Sequence, residues 1–236
     1  MKIERRSLLS GAEGAQGIVV VIDVLRAFTC SALMFHYRID ELVLVRTPEE
    51  ALDFRHRDSA YLVAGEVKGV MVEGFDIGNS PKEFVEKGEA YFRGRKVVLR
   101  SSAGTQGVLA ACASAKEVIL GSYMTASAIA RYIQQMNQEA LLVTMLGMGL
   151  EATKTSVEDE RCGDYIEYLL SGKPYDHLTA IWECLNDPFM AKSLRGDRPH
   201  MPREDVILAL QRDMFDFVMV GRPTKETVTV QRVDVQ

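Results

Sequence analysis

The 236-residue sequence has no excess of basic charge: 28 lysines and arginines stand against 33 aspartates and glutamates, a formal net charge of −5. No segment is basic enough to advertise binding to a phosphate backbone, so nucleic acid is not expected as a partner. The chain has only four cysteines, Cys30, Cys112, Cys162 and Cys184, with no CxxC spacing. Each lies in apolar surroundings, which suits reduced, buried thiols in a cytoplasmic protein better than a disulfide framework. The histidines, at 36, 56, 177 and 200, form no HxxxH or other zinc pattern. No stretch approaches the roughly 20 apolar residues that cross a bilayer. Met1–Ala12 carries charges without a long apolar core, so neither a membrane span nor a leader is expected.

Several nucleotide and phosphate signatures are also missing. There is no GxxxxGK[ST] loop. Gly11, Gly14 and Gly17 precede a strand-like run instead of following one, which disqualifies them as a dinucleotide fingerprint. Asp23-Val24-Leu25-Arg26 lacks a second aspartate two residues on, so a haloacid-dehalogenase-type phosphatase is not indicated.

What is present is an ordinary globular composition, 47% hydrophobic and 26% charged, with strand and helix patterns in alternation. Ile18–Val24 is a continuous β-branched run, the pattern of a strand buried on both faces. Further strands are expected at residues 41–46, 60–65, 96–100, 117–121 and 140–146. Helices are expected at 26–36, after the capping box Thr47-Pro48-Glu49-Glu50, after Ser80-Pro81, and at 105–114, 125–138 and 157–170. The alternation predicts βαβ units, hence a three-layer α/β/α fold with a mostly parallel sheet. Residues 176–217 read as predominantly helical, and Thr227–Val233 as a half-exposed strand closing a sheet edge. Residues 1–172 are thus expected to form an α/β core domain carrying most of the site. Residues 173–236 would be a smaller, helix-rich C-terminal lobe packed on it, with a single domain 1–236 as the alternative.

Polar residues collect at the carboxyl ends of the expected strands, where open α/β sheets bind ligands. Asp23, Glu66, Asp76, Glu158 and Asp159 are candidate ligands for a hard cation such as Mg²⁺, since oxygen donors without His or Cys spacing suit it. Ser101-Ser102-Ala103-Gly104-Thr105 is a hydroxyl-rich strand-to-helix turn whose amides could take an anion, with Ser122 on the next strand end. Arg26 could clamp the same anion. Plainer roles compete: Asp23 as a helix cap, Ser156 and Asp159 as a capping pair, Glu73 and Asp76 as solvated loop charges, and Ser80 and Asn79 as helix-start residues. Cys162 falls on a stripe with Ile166 and Leu169-Leu170 and reads as core.

At these same segments the sequence resembles the 2-phosphosulfolactate phosphatase family. The matching pieces are Val20–Ala27, Gly65-Glu66, Glu73–Pro81 (EGFDIGNSP), Ser101–Thr105, Gly121-Ser122, Ser156–Gly163, and Glu204-Asp205-Val206 through Phe217–Val220. EGFDIGNSP is long and unusual enough to be specific. The family's turn after the fourth strand usually reads Thr-Thr-Asn-Gly-Thr, and here alanine stands at 103. The resemblance implies an Mg²⁺-dependent acid phosphatase linked to coenzyme M biosynthesis, acting on a small phosphorylated acid, with Asp23 and Arg26 catalytic. Either a water or Asp23 itself would attack phosphorus. A homodimer is compatible with this reading. The competing classes are a non-catalytic small-anion-binding protein, a metal-dependent lyase on a similar acid, and an assembly component.

Overall fold

A computed structural model of the chain describes residues 1–136 and 141–236. The first strand, β1 (Lys2–Ser7), leads through a short helix α1 (Leu8–Ala12) into β2 (Ile18–Ile22), helix α2 (Ala27–His36) and β3 (Glu41–Leu44). Helix α3 (Pro48–Arg57), the hairpin β4 (Tyr61–Val67) and β5 (Val70–Met71), helix α4 (Pro81–Phe92) and β6 (Lys96–Arg100) follow. Then come α5 (Gly104–Ala111), β7 (Glu117–Gly121), α6 (Ala126–Gln135), β8 (Leu142–Gly147) and α7 (Val157–Ser171). The chain closes with α8 (His177–Asn186), α9 (Pro188–Leu194), α10 (Arg203–Ala209), β9 (Phe217–Pro223) and β10 (Val228–Asp234).

All ten strands join one sheet in the order β1-β8-β2-β7-β9-β10-β3-β6-β4-β5. The ladders β1-β8-β2-β7 and β3-β6-β4 are parallel, and the β9–β10 hairpin joins them with antiparallel pairing on both flanks. Helices cover both faces, as the three-layer reading expected. Val19 and Val21 of β2 pack into a cluster with α1, α2 and α5, while Ile18, Val20 and Ile22 pack into another with α6, α7 and α10. This explains why β2 shows no alternation: both faces are covered, and burial of each such side chain contributes roughly 1.5–3 kcal/mol. Among the described residues no helix is long and apolar enough to cross a membrane.

Four strands separate β2 from β6, which in a flat sheet would set them about 24 Å apart. Yet the Gly104 amide, four residues past β6, donates to Asp23 Oδ2 at 2.8 Å just after β2. Four residues of turn reach at most about 13 Å, and the residue step, side chain and hydrogen bond of Asp23 extend the reach from the other side, helped by the ordinary twist between strands. The ends of the two parallel blocks thus meet at one site.

Three expectations change. Residues 217–223 are strand, and β10 lies in the middle of the sheet instead of at its edge. The alternation of β10 reports one solvated face, since Val228 and Val230 are buried and Gln231 is exposed. A strand at β1 was not expected, because its charged sequence KIERRS lacks an apolar period; it lies at the sheet edge, where charge is tolerated. The expected extension of helix α6 to Gln138 and the expected start of the sixth strand at Ala140 fall outside the described residues.

Candidate active site

The site is built on strand ends. Immediately after β2, Asp23 accepts the Ala27 amide on Oδ1 (3.1 Å) and the Gly104 amide on Oδ2 (2.8 Å). It therefore does help start α2, but it also reaches across to α5. Gly104 is required there: a Cβ at this position would lie 2.5 Å from Asp23 Oδ2 and 3.0 Å from Phe28 Cζ.

Near the end of β4, Glu66 accepts the Ser102 amide (2.6 Å) and the Ser102 hydroxyl (3.0 Å), and its Oε2 accepts the Gly69 amide at 2.5 Å. Gly65 makes this approach possible, because any Cβ at its φ of +131° would strike the Arg100 carbonyl. Asp159, in the first turn of α7, accepts the Val24 and Gly149 amides, each at 2.8 Å. It thus braces the β2 and β8 loops and makes no capping bond to Ser156. Glu158 beside it is buried.

Asp23, Glu66, Glu158 and Asp159 are all at least nine-tenths buried. Burial pushes the Asp23 carboxyl up to about 6, and the negative charge of Glu66 adds to this. Burial lifts Glu158 to about 7, with Asp187 and Asp23 contributing. Asp159 is held well above the usual carboxylate range by burial and by the charges of Glu158 and Asp23. Four acids therefore crowd one region with little local positive charge to offset them.

Arg26 brings a positive charge close to Asp23. It is buried, with Nη1 donating to the His200 carbonyl (2.6 Å) and Asp205 Oδ2 (3.2 Å), and Nη2 to the Gly69 carbonyl (2.9 Å). Of its five N–H groups two remain, Nε–H and one on Nη2.

Asp23, Arg26, Glu66 and Ser102 share a cavity of about 530 Å³ with Leu25, Lys68, Asn79, Ala103 and the 149–151 loop. A second wall comes from Phe189 and residues 197–201. That volume is in the ordinary range for a small-molecule site. Glu158, Asp159, Ser101, Gly104 and Thr105 do not line the cavity; they stand behind its wall. Ser101 and Thr105 are buried and bonded to each other, the Thr105 amide donating to Ser101 Oγ at 3.0 Å. The amides of 102, 104 and 105 are thus already taken by Glu66, Asp23 and Ser101. The turn grips the protein's own carboxylates where an open anion cradle was expected.

Ser122 is buried with no hydrogen-bond partner for its hydroxyl and lies off the cavity. Asp76 is also apart. Its carboxylate pairs with Arg55 (3.1 Å to each oxygen) and accepts the Val63 amide (2.8 Å), fastening the EGFDIGNSP loop to β4 and α3. Cys162 is core, as expected. Sequence reasoning did not find Lys68, Phe189, Arg198, His200 or Asp205 as contributors. Only Asp205 carried a signal, as part of the matching tail segment.

Among the described residues, no three acid, histidine or cysteine side chains converge closely enough to hold a metal ion by themselves. The donor chemistry nonetheless fits a hard cation: oxygen ligands, excess negative charge and, among the described residues, no lysine or arginine in an ion pair with Asp23, Glu158 or Asp159.

The family described as 2-phosphosulpholactate phosphatase matches residues 5–223. The chain is 38% identical over 223 residues to a protein of Caldanaerobacter subterraneus subsp. tengcongensis named "Probable 2-phosphosulfolactate phosphatase", covering 85% of this chain and 86% of that one. Proteins given the same name in Thermus thermophilus and Bacillus subtilis are 32% and 26% identical. The alignments cover 75% of this chain and 74% of the Thermus protein, and 92% of both chains for the Bacillus protein.

Proposed function

The chain belongs to the 2-phosphosulfolactate phosphatase family, and from that premise we propose that it hydrolyses the phosphate monoester of a small acidic molecule. 2-Phosphosulfolactate is the favoured substrate, with sulfolactate and inorganic phosphate as products. The observation that carries the reading is the group of buried carboxylates, Asp23, Glu66, Glu158 and Asp159, beside a cavity of about 530 Å³.

A phosphate dianion cannot settle next to Asp23 and Glu66 unless positive charge separates them. Since among the described residues no three side chains cage a cation alone, one or two carboxylates would hold Mg²⁺ together with substrate oxygens and water, the usual manner of that ion. Asp23 and Glu66, which line the cavity, would be its ligands; Glu158 and Asp159 would act from behind them. When bound, the cation supplies charge stabilisation for the phosphoryl group in transfer.

The remaining work falls to the protein. Arg26 offers its two unused N–H groups to phosphate oxygens from a fixed position. Asp23, on the cavity wall, would either take a proton from the attacking water or attack phosphorus itself. Either route breaks the ester P–O bond, forms a new one to water's oxygen overall, and delivers a proton to the departing hydroxy acid. A role in coenzyme M biosynthesis, in a cytoplasm that keeps the four free thiols reduced, fits this chemistry.

The test is phosphate release from 2-phosphosulfolactate with Mg²⁺ and after exhaustive chelation by EDTA. Release that depends on the metal is expected. Undiminished turnover after chelation removes the metal from the reading, and no release under either condition overturns the phosphatase assignment.

A further inference from the structure

We propose that Arg198, assisted by Lys68, forms a second anion subsite that holds the acid group of the substrate remote from the phosphate. The inference rests on the phosphatase reading and deepens it. It begins from an imbalance within the cavity. The strand ends contribute carboxylates, whereas the wall formed by the α9–α10 connection contributes a guanidinium with no carboxylate partner among the described residues.

Arg198 sits with its guanidinium carbon 3.8 Å from the centroid of the Phe189 ring, and both residues line the cavity. Its Nε is buried and has no hydrogen-bond partner, and among the described residues it forms no ion pair. The adjacent carboxylate, Asp197, is taken by Arg195 at 3.0 Å. Arg26, in the same cavity, has three acceptors. A buried charged donor left without an acceptor is costly, and a guanidinium stacked on a ring still presents its N–H edge for planar, two-point recognition of an oxyanion. The segment is also held in place, since the carbonyl of His200, two residues on, accepts from Arg26 at 2.6 Å.

Lys68 stands at the tip of the β4–β5 hairpin, on the cavity wall. Its φ of +50° and that of Gly69 at +82° are both left-handed, as a two-residue hairpin turn of this twist demands. Asparagine would enter that conformation more easily than lysine. The tip is fixed by three bonds: the Lys68 amide to Ser102 Oγ (2.9 Å), the Gly69 amide to Glu66 (2.5 Å), and the Gly69 carbonyl to Arg26 (2.9 Å). The backbone of Lys68 is thereby held at the same opening as Arg198, and its exposed side chain has no carboxylate partner among the described residues. A ligand carrying a phosphate at one end and a carboxylate or sulfonate at the other matches this division of charge.

Steady-state kinetics on three secondary phosphate esters test the subsite: 2-phosphosulfolactate, 2-phospholactate, which lacks the sulfonate, and isopropyl phosphate, which lacks both acids. Wild type should prefer an acidic ester over isopropyl phosphate in kcat/KM. In Arg198→Gln that preference should shrink about tenfold or more, mainly through KM, with part of it restored in Arg198→Lys. Loss for 2-phosphosulfolactate alone assigns the subsite to the sulfonate; equal loss for both acidic esters assigns it to the carboxylate. An unchanged preference in Arg198→Gln overturns the proposal, as does a uniform fall in kcat on all three esters. If wild type hydrolyses none of them, the phosphatase reading fails, and the subsite is judged by calorimetric titration of sulfolactate. Binding weakened about tenfold by Arg198→Gln supports it; equal binding, or none to wild type, overturns it.

Discussion

Arg26 and Asp205 meet at 3.2 Å, Nη1 to Oδ2, in a pair from which water is all but excluded, their side chains being 4% and 0% exposed. Asp205 also accepts the Ser80 hydroxyl (2.6 Å) and the Lys82 amide (3.1 Å). One ion pair therefore joins the start of α2, the start of α4, α10, the 200 loop and the β4–β5 tip. Removing one member of such a pair leaves a charge buried and unanswered, which costs about 3–5 kcal/mol. Asp205→Asn should lower the melting temperature by on the order of 10 °C at this chain length. Calorimetry checks it, and an unchanged transition would show that the pair adds nothing.

Asp23→Asn retains one oxygen acceptor but turns an amide nitrogen toward either Ala27 or Gly104, both donors. That loss is partly offset by removing a carboxylate that burial disfavours. The melting temperature should move little, while phosphate release should fall at least about a hundredfold, on the order of 3 kcal/mol in barrier. Normal turnover would reduce Asp23 to a structural bond.

Gly104→Ala is a severe change despite its size. The new methyl group would sit 2.5 Å from Asp23 Oδ2, and the turn cannot retreat while its neighbours are bonded to Glu66 and Ser101. Asp23 must move, so activity and Mg²⁺ affinity should fall together. Titration of Mg²⁺ into Gly104→Ala and wild type reads this directly; equal affinities would separate the metal from Asp23.

The crowded acids predict a thermal signature of the metal. A cation that binds only the folded chain, at a hundred times its Kd, adds about 2.7 kcal/mol, or roughly 5–10 °C at this size. Scanning fluorimetry with Mg²⁺, and with Na⁺ at matched ionic strength, should show the rise with Mg²⁺ alone.

His177 contributes to the pH dependence of stability. It is half-buried, with Tyr175 Oη 3.1 Å from Nδ1, and burial together with the charge of Arg212 lowers its pKa below the ordinary 6.5; Asp213 and Asp176 pull the other way. The folded protein therefore holds His177 neutral where the unfolded chain already takes up a proton. Its contribution is complete above 6.5 and is lost as pH falls below that value. Between about pH 7.5 and about pH 5.5 the melting temperature of His177→Gln should rise more, or fall less, than that of wild type, since the raised carboxyls of Asp23 and Glu158 act alike in both. An identical change in the two proteins would remove the residue as a cause.

The strand ends were legible because a parallel sheet buried on both faces leaves a plain trace: β-branched runs that stop at a polar residue. Asp23 and Glu66 were found that way, and Thr47 and Glu50 form the expected capping box. The 101–105 turn was legible as an anion-holding element, but its anions arrive from Asp23, 81 residues away from Gly104, and from Glu66, 36 residues away from Ser102. No local pattern carries such pairings. Asp205 was hidden for a different reason. An acid in the first turn of a helix usually answers the helix dipole from the surface, and only packing shows that this one is wholly buried. Arg198 and His200 lie between α9 and α10, where no periodicity exists to read.

The placement of β9 and β10 bears on how the chain reaches this structure. They come after the other eight strands in chain order, yet they fill the middle of the sheet. Until they emerge from the ribosome, β7 and β3 each end in an unpaired row of backbone donors and acceptors, the kind of edge that recruits foreign strands. The backbone hydrogen bonds that join the β1-β8-β2-β7 block to the β3-β6-β4 block run through that hairpin. A nascent chain halted before residue 217 should therefore hold two half-sheets exposed to aggregation, and protease resistance at the β3 and β7 edges should appear only once residues 217–234 are released.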